Sequence, residues 1–169
     1  MEKPPVLAIT TGDAAGIGAE VVVKALAEPG ITSQCTPVVI GSIPLLERTA
    51  ASLGLKLVFQ GIQTVPPQSV RGKAIPVLDT GLLPREGVPL GKVSAAAGKA
   101  SMEWVLQALK LAVEGRGSAI ATAPINKEAT TLAGYKELGK IDKDVLKIAG
   151  ENADFELQTL ERPMLEGKD

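Results

Sequence analysis

Short β-rich runs alternate with longer helical ones from the start of the chain to Tyr135, and no other property of the sequence narrows its fold as far. Parallel strands can be joined only by long crossovers, so this alternation is the pattern of a mainly parallel sheet with helices on both faces. The expected class is therefore α/β. Strands are predicted over residues 6–10, 38–41, 56–60, 74–77 and 118–122, and helices over 19–27, 44–53, 94–113 and 127–132. The helix at 94–113 is the most clearly marked. Ser94 suits its N-cap, Val105, Leu106, Leu109 and Val113 form a helical stripe expected to face the core, and Glu114-Gly115-Arg116-Gly117 supplies a glycine stop. Between residues 61 and 90 stand Pro66, Pro67, Pro76, Pro84 and Pro89. That density blocks helix and suits an extended excursion, read either as an arm that packs on a second subunit or as a plain connecting loop.

Two strand ends carry the polar residues that chemistry needs. At the first, Val6-Leu7-Ala8-Ile9-Thr10 runs into Thr11-Gly12-Asp13-Ala14-Ala15-Gly16-Ile17-Gly18-Ala19-Glu20, which reads as strand, glycine-rich turn and helix start. Such a turn lets backbone N–H groups approach an anion, so Gly12, Gly16 and Gly18 are candidate cofactor-binding positions. Their order, G-x-x-x-G-x-G, is not the dinucleotide fingerprint, and no acidic residue closes a second strand near position 40. Asp13 would repel a phosphate set directly on the turn, which suits it to capping the helix, ordering the turn or binding a hydroxyl. A tight strand-to-helix turn with no ligand is the plainer reading of the same residues.

At the second, Ala119-Ile120-Ala121-Thr122-Ala123-Pro124-Ile125-Asn126-Lys127-Glu128 delivers Thr122, Asn126, Lys127 and Glu128 to the end of a strand. A lysine there can hold a phosphate or carboxylate as a point charge. Equally, Asn126 could N-cap a short helix with Lys127 solvated in its first turn. The small residues of 94–101 suit close helix packing, with an anion site at Ser94 as the alternative.

Histidine is absent from the chain, which removes the usual neutral-pH base and the usual transition-metal ligand. Any base must be Lys, Asp, Glu or Tyr135, and any metal must be held by oxygen ligands. Aromatic residues make up only 2% of the chain, the net charge is −1, and the basic residues are scattered, so a nucleic-acid partner is not expected. No long apolar run or signal-like start is present, and Cys35 is the sole cysteine. A cytoplasmic protein with a reduced, buried thiol and no membrane partner is expected. After Tyr135 the sequence changes: residues 136–169 carry 15 of the 37 charged residues. We therefore divide the chain into an α/β domain, 1–135, and a charged tail, 136–169. In the tail, 142–149 suits one amphipathic helix, and Phe155, Leu157, Leu160 and Leu165 suit a short strand or a cover for a sheet edge.

The two strand-end segments, with Gly87-Val88-Pro89-Leu90-Gly91-Lys92-Val93-Ser94-Ala95-Ala96-Ala97-Gly98-Lys99-Ala100-Ser101 between them, resemble the 4-hydroxythreonine-4-phosphate dehydrogenase (PdxA) family of vitamin B6 biosynthesis over about residues 5–139. Family members typically read GDPAGIGPE at the first motif, so Ala14 and Ala19 replace prolines here while the glycines, Asp13 and Glu20 are kept. The resemblance implies an isocitrate/isopropylmalate dehydrogenase-like fold, of which this chain holds an incomplete part. It implies an NAD-dependent dehydrogenase that oxidatively decarboxylates 4-phosphohydroxy-L-threonine with a divalent metal, working as a cytoplasmic homodimer on a small phosphorylated substrate. Asp13, Thr122, Asn126 and Lys127 are the implied substrate-binding residues, Lys140 is a further candidate as a lysine that could meet an anion, and no catalytic residue is assigned. The family's G-H-T-E motif falls on Gly139-Lys140-Ile141-Asp142, where its His and Thr are lost, and the three metal histidines have no counterparts. The chain by itself is accordingly expected to be inactive. A non-catalytic anion-binding or dimerisation module is the alternative, and an acyl- or phosphoryl-transfer enzyme on a similar scaffold a weaker one.

Overall fold

A computed structural model of the chain describes residues 4–65, 73–84 and 86–135. The predicted tail helix and strand, and Lys140, lie outside those residues. The elements run β1 (Val6–Thr10), α1 (Gly18–Ala27), α2 (Pro29–Gln34), β2 (Thr36–Gly41), α3 (Ile43–Ser52), β3 (Phe59–Gly61), β4 (Ile75–Asp79), α4 (Ala95–Val113), β5 (Ala119–Thr122) and α5 (Lys127–Leu132). The five strands form one sheet in the order β3-β4-β2-β1-β5, and every pairing is parallel.

Helices cover both faces, and strand alternation divides the core between them. Ala8, Val38 and Ile40 face α4, where Ala97, Ala100, Trp104, Ala108 and Leu111 meet them. Ile9, Val39 and Val77 point the other way, against Val22, Val23 and Leu26 of α1 and Leu46 and Ala50 of α3. Central β2 is sealed on both sides, with Val38, Val39 and Ile40 all at 0% exposure. Such a strand reads as a continuous apolar run because neither face meets water.

Four expectations need correction. The stripe predicted to bury α4 is its outer one: Leu106 and Val113 are 37% and 45% exposed, and Val105 and Leu109 are only half-buried. The helix is rotated to bury Trp104, Met102 and Leu111, with Ala97, Gly98, Ala100 and Ser101 allowing close approach. Burying the large indole and the small residues beside it outweighs burying a few aliphatic chains. A helix not predicted, α2, forms at Pro29–Gln34. Its first-turn proline is compatible with a helix start, but it buries no residue and so left no periodic signal. The third strand lies at Phe59–Gly61, later than 56–60, because Phe59 is the buried anchor. Cys35 is half-buried at the end of α2, its thiol donating to the Ile31 carbonyl at 3.3 Å, and burial pushes that thiol up.

The proline-rich stretch holds an interior strand. Pro76 is tolerated in β4 because its register with β2 begins at Val77, one residue after the missing N–H.

Candidate ligand site at the carboxyl edge of the sheet

All five strands are parallel, so their carboxyl ends share one edge. The chain builds leftward from β1 through β2 to β4 and β3, then crosses to place β5 on the other side of β1. Strand order therefore reverses between β1 and β5, and the crevice outside that point is where open α/β sheets bind ligands. Both strand-end segments arrive there, and backbone contacts join them. The Asp13 N–H donates to the Pro124 carbonyl at 2.9 Å, and the Ala123 N–H donates to the Thr10 carbonyl at 3.2 Å.

Three glycines make this closeness possible. Gly12 has φ +71°, and a Cβ there would sit on the carbonyls of Ala123 and Pro124. A Cβ at Gly18 would meet the Thr11 carbonyl, and one at Gly98 of α4 would meet the Ala129 carbonyl in α5. Gly16 differs. It has no positive φ, is exposed, and an added Cβ would meet only the Asp13 side chain, at 3.3 Å. The middle segment joins the others as well: the Gly91 N–H donates to the Ala15 carbonyl at 2.7 Å, and the Ser94 hydroxyl accepts from the Ala97 N–H as the cap of α4.

Asp13 is 8% exposed, and its Oδ1 accepts from the Ala15 N–H at 3.0 Å. The carboxylate thus orders its own turn and occupies an amide that a phosphate would need. The first-turn amides of α1 are the donors that remain, since a helix leaves those without internal partners. Asn126 N-caps α5, its Oδ1 accepting from the Ala129 N–H at 3.1 Å. Thr122 and Lys127 are exposed beside it. The fold therefore gathers Gly12, Asp13, Gly16, Gly18, Thr122, Asn126 and Lys127 at one edge.

Tyr135, one of the residues available as a base, is excluded from that role at neutral pH. Its hydroxyl donates to Glu103 at 2.6 Å, and burial, then the Glu103 hydrogen bond and charge, push it up to about 12. Among the described residues no three His, Cys, Asp or Glu side chains converge as metal ligands. With no histidine in the chain, any metal would have to be held by oxygen ligands.

One acidic residue escaped the sequence reading. β4 is the sheet neighbour of β2, so Asp79 is paired with Gly41 and closes the edge where no acid near position 40 was found. Its carboxylate accepts from the Ile43 N–H and the Gly81 N–H, both at 2.9 Å. Only the strand order, which is not written in linear spacing, would have revealed it.

The parallel α/β sheet, with a glycine turn at its switch point, has the isocitrate/isopropylmalate dehydrogenase-like fold. The chain belongs to the PdxA family: residues 33–150 match the family described as Pyridoxal phosphate biosynthetic protein PdxA. D-threonate 4-phosphate dehydrogenase of Cupriavidus necator is 42% identical over 132 residues, covering 78% of this chain and 39% of the relative. Among solved structures, 4-hydroxythreonine-4-phosphate dehydrogenase of Burkholderia phymatum superposes with a TM-score of 0.79 at 39% identity, over 88% of this chain and 44% of that one. The Klebsiella pneumoniae enzyme of the same name gives 0.75 at 34% identity, over 85% and 45%. The chain thus spans less than half the length of the relatives it matches.

Proposed function

We propose that this chain supplies the N-terminal α/β portion of an NAD-dependent dehydrogenase acting on a small phosphorylated hydroxy acid. 4-Hydroxythreonine 4-phosphate and D-threonate 4-phosphate, the compounds in its relatives' names, are the proposed substrates. The observation that carries the reading is the meeting of the first and last motifs, joined through Asp13 and Pro124, at the switch point of the sheet. In this reading Lys127 takes the substrate phosphate, while Thr122 and the first-turn amides of α1 offer further donors. NAD, when bound, accepts the hydride. The glycine turn does not fit the cofactor's diphosphate, since Asp13 already holds the Ala15 amide. The proposed setting is vitamin B6 synthesis or a related oxidative decarboxylation, in a cytoplasmic homodimer. No helix among the described residues is long and apolar enough to cross a membrane.

Because the family's metal histidines have no counterparts in this chain, the chain alone is proposed to be inactive. The same difference favours a second reading, a non-catalytic module that binds anions or dimerises. Two measurements on the pure chain test both. With NAD, a divalent metal and D-threonate 4-phosphate, NADH should not rise above a protein-free control. Calorimetric titration should show binding of D-threonate 4-phosphate that Lys127→Ala weakens on the order of tenfold. Turnover overturns the inactivity, and unchanged affinity in the variant returns Lys127 to an ordinary solvated residue.

A further inference from the structure

One side of α4 is covered over its first half and bare over its second. Gly98, Met102, Leu106, Leu109 and Val113 recur every three or four residues, so they line a single face of the helix. α5 closes the start of that face, where Gly98 abuts the Ala129 backbone and Met102 is fully buried. Toward the end of α4 the cover stops. Leu106 and Val113 are exposed, Leu109 is half-buried, and none of the three joins the core on either side of the sheet among the described residues. The course of the chain after α5 brings it to this surface. Tyr135 donates its hydroxyl to Glu103, which stands about one turn before Leu106, so the chain leaves the described residues beside the bare half.

Residues 136–169 lie outside the described residues, but their sequence carries a matching surface. Leu138, Ile141, Val145 and Ile148 are spaced three, four and three apart, a seam along one side of a helix, while Lys136, Lys140, Lys143 and Lys147 keep the same period on the opposite side. An apolar seam backed by lysines calls for a surface on which to bury it. The lengths agree as well: Leu138 to Ile148 and Glu103 to Val113 are each ten residues, about 15 Å of helix. Glu137, Asp142 and Asp144 border the seam, and the exposed Lys110 borders the bare face, a complementarity that orients the contact more than it strengthens it. We infer that residues 138–148 of the same chain cover the bare half of α4 as a helix, continuing the cover that α5 begins. Only Lys136 and Glu137 separate the seam from Tyr135, so it is held at high effective concentration over this face, which favours it above any separate partner. α5 carries Asn126 and Lys127 at its start, so the contact also fastens the exposed side of the candidate ligand site.

The test is NOE spectroscopy on the full 169-residue chain with its Ile, Leu and Val methyls labelled. Cross-peaks are expected from Leu106, Leu109 or Val113 to Leu138, Ile141, Val145 or Ile148. Their absence overturns the assignment. A second copy of the chain is the rival occupant, and a sample mixed from differently labelled chains separates the two: cross-peaks found only between chains overturn the inference, and cross-peaks within one chain that persist on dilution support it. Replacing both Ile141→Asp and Val145→Asp should erase the cross-peaks and lower the melting temperature by several degrees. The methyl shifts of Val38 and Val39, sealed at the centre of the sheet, should stay in place and show that the fold is kept. A wild-type melting temperature together with unchanged Leu106 and Val113 shifts in that variant overturns the contact. Neither Lys127 nor any ligand enters these measurements, so this inference and the proposed function can fail separately.

Discussion

The two segments that meet at the switch point are built on opposite plans. On the β1 side, Thr10 and Thr11 are fully buried, and the Thr11 N–H and hydroxyl both donate to the Ile40 carbonyl, at 3.1 and 3.0 Å. Gly12 and Gly18 bring backbone into contact with backbone. On the β5 side the strand is an edge, hydrogen-bonded only to β1 among the described strands, with Ala119, Ala121 and Thr122 exposed and Lys127 in solvent. One segment is a fixed frame and the other an open surface mounted on it. In the proposed site the glycine turn therefore supplies the backbone frame and the β5 exit the exposed polar side chains.

The sharpest way to break this contrast is at the frame. Gly12→Ala places a methyl in a left-handed conformation and against two carbonyls, and each fault has its own cost. A loss of about 3 kcal/mol is expected, the sum of about 1–2 for the backbone and 1–3 for overpacking. Gly16→Ala, four residues on, should change stability by less than about 1 kcal/mol, because the Asp13 side chain can yield and no positive φ is required. Urea denaturation of both variants decides it. Equal losses would mean that the turn is not locked at Gly12 in particular.

A smaller effect is expected at the open side. Asn126→Ala removes the bond that caps α5 and should cost about 1 kcal/mol in the same denaturation experiment. If α5 were held by its cap rather than by packing on α4, the loss would rise well above that and the variant would lose helical signal. The contact between Gly98 and Ala129 argues for packing as the stronger hold.

How much of this could be read beforehand follows from the same division. The alternation of β-rich and helical runs was legible because both faces of the sheet are covered, which makes apolar runs short and punctuated. The Ser94 cap and the glycine stop, where Gly115 adopts φ +66°, were legible because each is a local backbone requirement. The rotation of α4 was not. Val105, Leu106, Leu109 and Val113 make as good a stripe as the buried one, and only the fit of Trp104 between the sheet and Thr80, whose hydroxyl accepts its Nε1–H at 2.8 Å, decides between them. In the site, the two motifs were visible as strand ends, but their contact through Pro124 was not. Asp79 lay hidden because β4 follows β3 in the chain and neighbours β2 in space.

The mildest expected effect lies at the far end of α5, where Tyr135 ties the open side back to α4. Its hydroxyl donates to Glu103, and the folded protein holds it protonated to about 12 against an ordinary value of 10.0. A raised pKa means that the folded state keeps a proton which the unfolded chain has released. Any stability this provides is therefore complete below about pH 10 and lost as pH rises toward 12. Tyr135→Phe should leave the melting temperature nearly unchanged at neutral pH, since the group is partly exposed and one bond to it contributes little. At high pH the wild type should lose melting temperature faster than the variant, and the two curves should converge or cross between pH 10 and 12. Parallel curves across that window would show that the bond to Glu103 does not fasten α5, leaving the backbone packing at Gly98 as its hold on the frame.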